Sequence, residues 1–188
     1  KTLLQGRRII AHLGNMGVAQ GFDLIIELAD YLREEKEIGF LFMGRGTEEA
    51  RLRELVKKKE LDNVLFHEEV PPEAVPSVLE QCSVGLVSLH SKHVAHNIPG
   101  KFLTYLLYNV PVFAKVNHNS DLGELILESG VGVAYSGDDP QEMAERILSM
   151  LSDSEKLKQM SQSCSLLTKE MFTPDSACKT ICGNINDR

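Results

Sequence analysis

The sequence has no Trp and little aromatic content of any kind, with 7 Phe and 4 Tyr making up 6% of 188 residues. It has no apolar run near the ~20 residues that a bilayer-spanning helix needs, so no spanning segment is expected. Basic charge is in the minority, 20 Lys and Arg against 27 Asp and Glu for a net charge of −7. That balance argues against a nucleic-acid backbone as partner, which takes a basic stripe to displace counterions. Cysteine is scarce and irregularly spaced, at Cys82, Cys164, Cys178 and Cys182. The close pair Cys178 and Cys182 lacks the second pair or nearby His of a tetrahedral zinc site, so free thiols in a reducing cytoplasm are expected. The chain begins at Lys1 with neither Met nor an apolar leader region, the expectation being a piece of a longer protein without a signal peptide.

What is present is 43% apolar and 25% charged residues, spread along the chain. That suffices for one domain with a buried core and a terminal extension, expected over 1–152 and 153–188. Short apolar runs alternate with helical periodicity. Strands are expected at 8–13, 38–43, 63–66, 83–89, 111–114 and 131–134. Helices are expected over 20–36, with Phe22, Ile25, Ile26, Ala29 and Leu32 on one stripe, from Thr47 as an N-cap, from Pro71 and Pro72, from Pro99 to about Tyr108, and over 120–129. The rest beyond Pro140 reads as helix, broken near Ser152 and again at Thr173 and Pro174. Alternating strands and helices with near-continuous apolar strands imply an α/β fold, a doubly wound, Rossmann-like parallel sheet of six strands with helices on both faces. Ligands of such sheets bind at the carboxyl ends of the strands, in the loops 14–20, 44–47, 67–71, 90–101 and 117–120.

Gly14-Asn15-Met16-Gly17 sits between a strand and a helix, where backbone amides and the helix dipole can face an anion or simply form a tight turn. It lacks the third glycine of a dinucleotide fingerprint and the Lys-Ser/Thr of a P-loop. Gly44-Arg45-Gly46-Thr47 is a second such turn, its Arg either solvated or turned toward the cleft. In the loop 89–101, His90, His93 and His96 have no nearby Cys or acidic residue, which argues against a metal. Lys101 and the free amides of a helix start there suit a negative charge. Glu68 and Glu69 are adjacent on an extended chain, point to opposite sides, and do not form a shared dyad. The basic run Arg51 to Lys59 has its Leu52, Leu55 and Val56 facing inward and reads as a solvated helix face.

Three stretches in order carry a family resemblance: Gly14 to Asp23; Phe42-Met43-Gly44-Arg45-Gly46 through to Asn63-Val64-Leu65-Phe66; and Ile98-Pro99-Gly100-Lys101-Phe102-Leu103-Thr104-Tyr105-Leu106 through to Pro111-Val112. Together, over about residues 8–150, they resemble the C-terminal, nucleotide-sugar-binding domain of the GT-B glycosyltransferases of the large retaining family four. The resemblance implies that Gly14, Asn15 and Gly17 face the diphosphate and the reacting centre. It implies that Lys101, with Asn97, Pro99 and Gly100 before it, lies near the diphosphate, that Arg45 and Gly46 form the glycine turn, and that residues 67–70, including Glu68 and Val70, lie beside the base. The family's basic residue before the first helix glycine is replaced here by Gln20, and its two spaced glutamates by His96 and Thr104. The run 14–21 resembles a bacterial subset that builds surface polysaccharides.

The resemblance thus implies the donor half of a retaining glycosyltransferase for lipopolysaccharide, O-antigen or capsule, taking a UDP-sugar without metal or other cofactor. It also implies an acceptor, lipid-linked or oligosaccharide, held by an N-terminal domain outside this chain, with cytoplasmic location and peripheral membrane contact. Two alternatives stay open: a UDP-sugar epimerase of the same architecture, and a non-enzymatic flavodoxin-like interaction domain whose loops are scaffolding.

Overall fold

The computed structural model describes residues 3–91 and 98–171. Six parallel strands form one sheet: β1 (Arg8–Leu13), β2 (Ile38–Met43), β3 (Val64–His67), β4 (Cys82–Ser88), β5 (Val112–Lys115) and β6 (Gly132–Tyr135). Their order is β3-β2-β1-β4-β5-β6, the doubly wound sheet that the strand-helix alternation predicts. Between them run α1 (Phe22–Tyr31), α2 (Glu49–Lys58), α3 (Val75–Leu79), α4 (Gly100–Leu107) and α5 (Asp121–Ser129), followed by α6 (Pro140–Ser152) and α7 (Ser154–Met171). One face of the sheet is buried by Ile25, Ile26 and Ala29 of α1, Leu52 of α2 and Met143 and Ile147 of α6. The other is buried by Leu79 of α3, Phe102 and Leu106 of α4 and Leu122 and Ile126 of α5.

Several element boundaries differ from the sequence expectation. The expected helix over 20–36 is divided: a single 3-10 turn spans Val18–Gln20, the chain passes through the left-handed region at Gly21, and α1 then runs only to Tyr31. The loop 14–17 therefore meets a 3-10 turn rather than the first turn of α1. Thr47 is not an N-cap, because α2 opens at Glu49 and no side chain caps it. Pro71 and Pro72 open a 3-10 turn over Pro72–Ala74, with α3 beginning only at Val75. β3 starts one residue late, at Val64; the buried Asn63 before it donates Nδ2 to the Ala29 carbonyl at 2.7 Å while its own carbonyl accepts from the Phe40 amide at 2.7 Å. The break near Ser152 is present: Asp153 leaves the helical region and its carboxylate accepts from the Lys156 amide at 2.9 Å, opening α7. α7 packs on the domain through buried Met160, Cys164 and Leu167, the Cys164 thiol lying against the carbonyls of Val110 and Val131. The break at Thr173 and Pro174, and the pair Cys178 and Cys182, lie outside the described residues.

Candidate functional site

β1 pairs with β2 along its whole length, Arg8 opposite Ile38 through Leu13 opposite Met43, but with β4 only as far as Ala11 opposite Gly85. The two strands part beyond that point, and because the chain winds one way from β1 to β2 and the other way to β4, a crevice opens above the parting. Tyr105 of α4 closes its floor. The fully buried hydroxyl accepts from the Leu13 amide at 3.1 Å and donates to the carbonyl of Ala11 at 2.9 Å, with that of Leu86 at 3.3 Å. Gly85 makes room for this ring, since a Cβ there would overlap the Tyr105 aromatic carbons. The phenol thus stands in for ladder bonds that β1 and β4 no longer exchange.

Above that floor, the loop after β1 is zipped to the loop after β2. The Gly14 amide donates to Met43 O at 2.8 Å, the Met16 amide to Arg45 O at 2.9 Å and the Glu48 amide to Met16 O at 3.0 Å. Gly44 sits at φ 148°, and any Cβ there would overlap the Gly14 carbonyl, so the close approach of the two loops depends on glycine. Gln20 Oε1 accepts from the Gly17 amide at 2.9 Å and from Asn15 Nδ2 at 3.3 Å, so these three predicted residues form one cluster. The end of β4 is tied to the same cluster: Ser88 Oγ donates to Gln20 O at 2.6 Å, and the His90 amide to Ala19 O at 2.8 Å.

Lys101 enters the crevice from the first turn of α4, whose N-cap is Pro99. Burial holds its ammonium below the usual lysine range, and among the described residues no carboxylate or other acceptor pairs with it. Thr104 turns its hydroxyl back to the Gly100 carbonyl at 3.2 Å, and Gly100 itself is open to solvent. Arg45 is solvated, its side chain 83% exposed and paired with Glu69 at 3.3 Å. Glu68 is exposed and its carbonyl faces His67 Nδ1 at 2.7 Å, while Val70 lines an apolar cavity of about 190 Å³ with Leu4, Ile9, Met43 and Leu65. His96 and Asn97 lie outside the described residues. The structure therefore brings Gly14, Asn15, Gly17, Gln20 and Lys101 to one crevice and leaves Arg45, Glu68 and Val70 on the flank toward β3.

Sequence reasoning missed two residues here. His12 and Tyr105 are both fully buried at the parting of β1 and β4. The signal for the first was a His inside the otherwise apolar run Ile9 to Leu13. A third buried polar group, Lys115 at the end of β5, is 2% exposed and pairs with Asp138 at 3.1 Å.

This arrangement of turns, crevice and sheet order has relatives. A family model described as glycosyl transferases group 1 matches residues 1–164. The chain belongs to that family. It is 30% identical over 132 residues to the putative colanic acid biosynthesis glycosyl transferase WcaI of Escherichia coli K12, covering 70% of this chain and 32% of that protein. Proteins of known structure share the fold. The C-terminal domain of LpcC from Francisella tularensis superposes with a TM-score of 0.73 at 18% identity, covering 90% of this chain and 88% of that one. Anabaena HepE, solved with UDP, gives 0.78 at 15% identity, covering 98% of this chain and 50% of that one. The fold is the Rossmann-like one of GT-B glycosyltransferases. The group 1 chain described here spans about a third of the length of the curated relatives it matches, and among its described residues no helix is long and apolar enough to cross a membrane.

Proposed function

We propose that this group 1 chain is the donor-binding half of a retaining glycosyltransferase of bacterial surface-polysaccharide synthesis, and that it holds the diphosphate of a UDP-sugar in the crevice between β1 and β4. The observation that carries this reading is Lys101: a partly desolvated ammonium, without a counter-charge among the described residues, beside the loop 14–17 at the switch point of the sheet. Such a group is stabilised by a phosphate and is in place to take up charge on the departing nucleotide as the glycosidic bond breaks. Asn15 and Gln20 add uncharged donors. Binding of UDP by the similarly folded HepE supports the choice of nucleotide, and the relationship to WcaI supports polysaccharide synthesis. In this scheme 1–152 is the nucleotide-sugar domain, 153–188 its C-terminal extension, a further domain supplies the acceptor, and neither metal nor organic cofactor takes part.

Calorimetric titration with UDP, GDP and ADP tests the reading. Saturable binding of UDP, weakened about tenfold or more in Lys101→Ala, is the expected result. Loss of one charged hydrogen-bond partner corresponds to roughly 1.5–3 kcal/mol. Equal affinity of the wild type and the variant would remove the diphosphate from this crevice.

A further inference from the structure

One buried titratable group at the crevice has no role in this scheme. His12 is fully buried near the end of β1, its ring edge-on to Phe22 of α1 at 4.7 Å between centroids. Its Nε2 lies 3.1 Å from the carbonyl oxygen of Asn15. A carbonyl only accepts, so in the neutral ring the proton sits on Nε2, and Nδ1 is left a bare lone pair. Nδ1 closes no hydrogen bond, and the other carbonyl near the ring, that of Leu86, is itself an acceptor and cannot satisfy the lone pair. A buried acceptor without a partner is unfavourable, and it persists here against that penalty.

The groups facing this ring come from four elements. They are Lys101 on α4, Phe22 on α1, the Leu86 carbonyl on β4 and the Asn15 carbonyl on the loop itself, while the nearby Tyr105 hydroxyl is occupied by Leu13 and Ala11. Burial first, and the Lys101 charge second, push the imidazole down to about 3, so it stays neutral at any ordinary pH. A carboxylate at this place would pair with Lys101 and consume its charge, and a permanent cation would repel it. A neutral donor does neither.

We infer that His12 is a positioning residue for the nucleotide site, acting through the peptide bond between Asn15 and Met16. Both ends of that peptide are tied: its carbonyl to His12 Nε2 and its N–H to the Arg45 carbonyl at 2.9 Å. The imidazole holds the Asn15 oxygen into the fold, where it cannot face a phosphate, and leaves Lys101 unpaired for the ligand. This inference rests on the reading of the crevice as the diphosphate site.

The test uses His12→Phe, which keeps a ring and removes the donor, and His12→Gln, whose amide can donate to the same carbonyl. Two readouts are taken at a temperature where all three proteins are folded: amide hydrogen exchange at Met16, which needs no ligand, and affinity for UDP. His12→Phe is expected to speed exchange at Met16 and to weaken UDP about tenfold, the effect of one lost hydrogen bond. His12→Gln is expected to restore both to within about threefold. Wild-type exchange and affinity in His12→Phe, or failure of His12→Gln to recover either, would overturn the assignment. If the wild type binds no UDP while Met16 still loosens in His12→Phe and recovers in His12→Gln, the positioning role stands and the nucleotide reading is what fails.

Discussion

Replacing Tyr105 by Phe deletes one oxygen atom from the floor of the crevice and leaves the ring and its packing in place. The lost hydroxyl is fully buried, accepts from the Leu13 amide at 3.1 Å and donates to the Ala11 carbonyl at 2.9 Å. Those two backbone groups lie at the last β1–β4 pair, Ala11 opposite Gly85, and just beyond it at Leu13, where β4 supplies no further partner to replace the phenol. Each buried group left without a partner costs about 1–3 kcal/mol, and with partial relaxation the pair amounts to about 2–4 kcal/mol. For a chain of this length each kcal/mol moves the thermal midpoint by about 2–4 °C, which gives a drop of about 4–16 °C. Urea denaturation followed by circular dichroism measures the free energy directly, with an unchanged slope as the sign that the folded and unfolded ensembles are the same. Because Leu13 is the last residue before the loop 14–17, UDP affinity is expected to fall as well. A loss below about 0.5 kcal/mol, the range of an ordinary surface substitution, would show that the hydroxyl does not hold the two strands at their parting.

Four further outcomes follow from the same geometry. Gly44→Ala is expected to abolish the zipping of the two loops, seen as lost protection of the Gly14 and Met16 amides in hydrogen exchange, since its Cβ overlaps the Gly14 carbonyl. Asp138→Asn leaves the Lys115 ammonium buried beside a neutral group and is expected to destabilise by about 1–3 kcal/mol in urea melts, whereas Lys115→Met is expected to be near neutral. Arg45→Ala, whose ion pair with Glu69 is solvated, is expected to change stability by less than about 0.5 kcal/mol in the same melts. His12 is neutral when folded, with its pKa lowered from 6.5 to about 3, so the unfolded chain binds the extra proton between those values and stability rises with pH across that window. The wild type is therefore expected to lose stability faster than His12→Gln as pH falls from 6.5 toward 4, and parallel curves would contradict the burial of a neutral imidazole.

The sheet was legible because its strands are apolar without interruption and its helices carry one-sided stripes. Ile38 to Met43 is buried at every position, and only a strand covered on both faces has that pattern. The glycine turns after β1 and β2 and the Pro99 to Lys101 helix start were legible for the same local reason, as was their common position at the carboxyl end of the sheet. What the sequence did not disclose depends on tertiary contact. Gly21 in the left-handed region shortened the first helix, and nothing near it in sequence forces that choice; its close neighbour is the His90 backbone, far along the chain. Arg45 could be read as entering the cleft until Glu69 was seen beside it. His12 and Tyr105 have meaning only where β1, β4 and α4 converge, since the Tyr105 hydroxyl bonds to residues more than ninety positions away.

The most direct measurement of the central claim is a crystal structure of this chain grown with UDP. The account predicts the diphosphate above the parting of β1 and β4, within hydrogen-bonding distance of Lys101 Nζ and over the loop from Gly14 to Gly17, with the base toward Glu68 and Val70. Diphosphate found elsewhere, for example in the polar cavity of about 240 Å³ lined by Asp23, Glu27, Lys115 and Asp138, with Lys101 left unliganded, would contradict it.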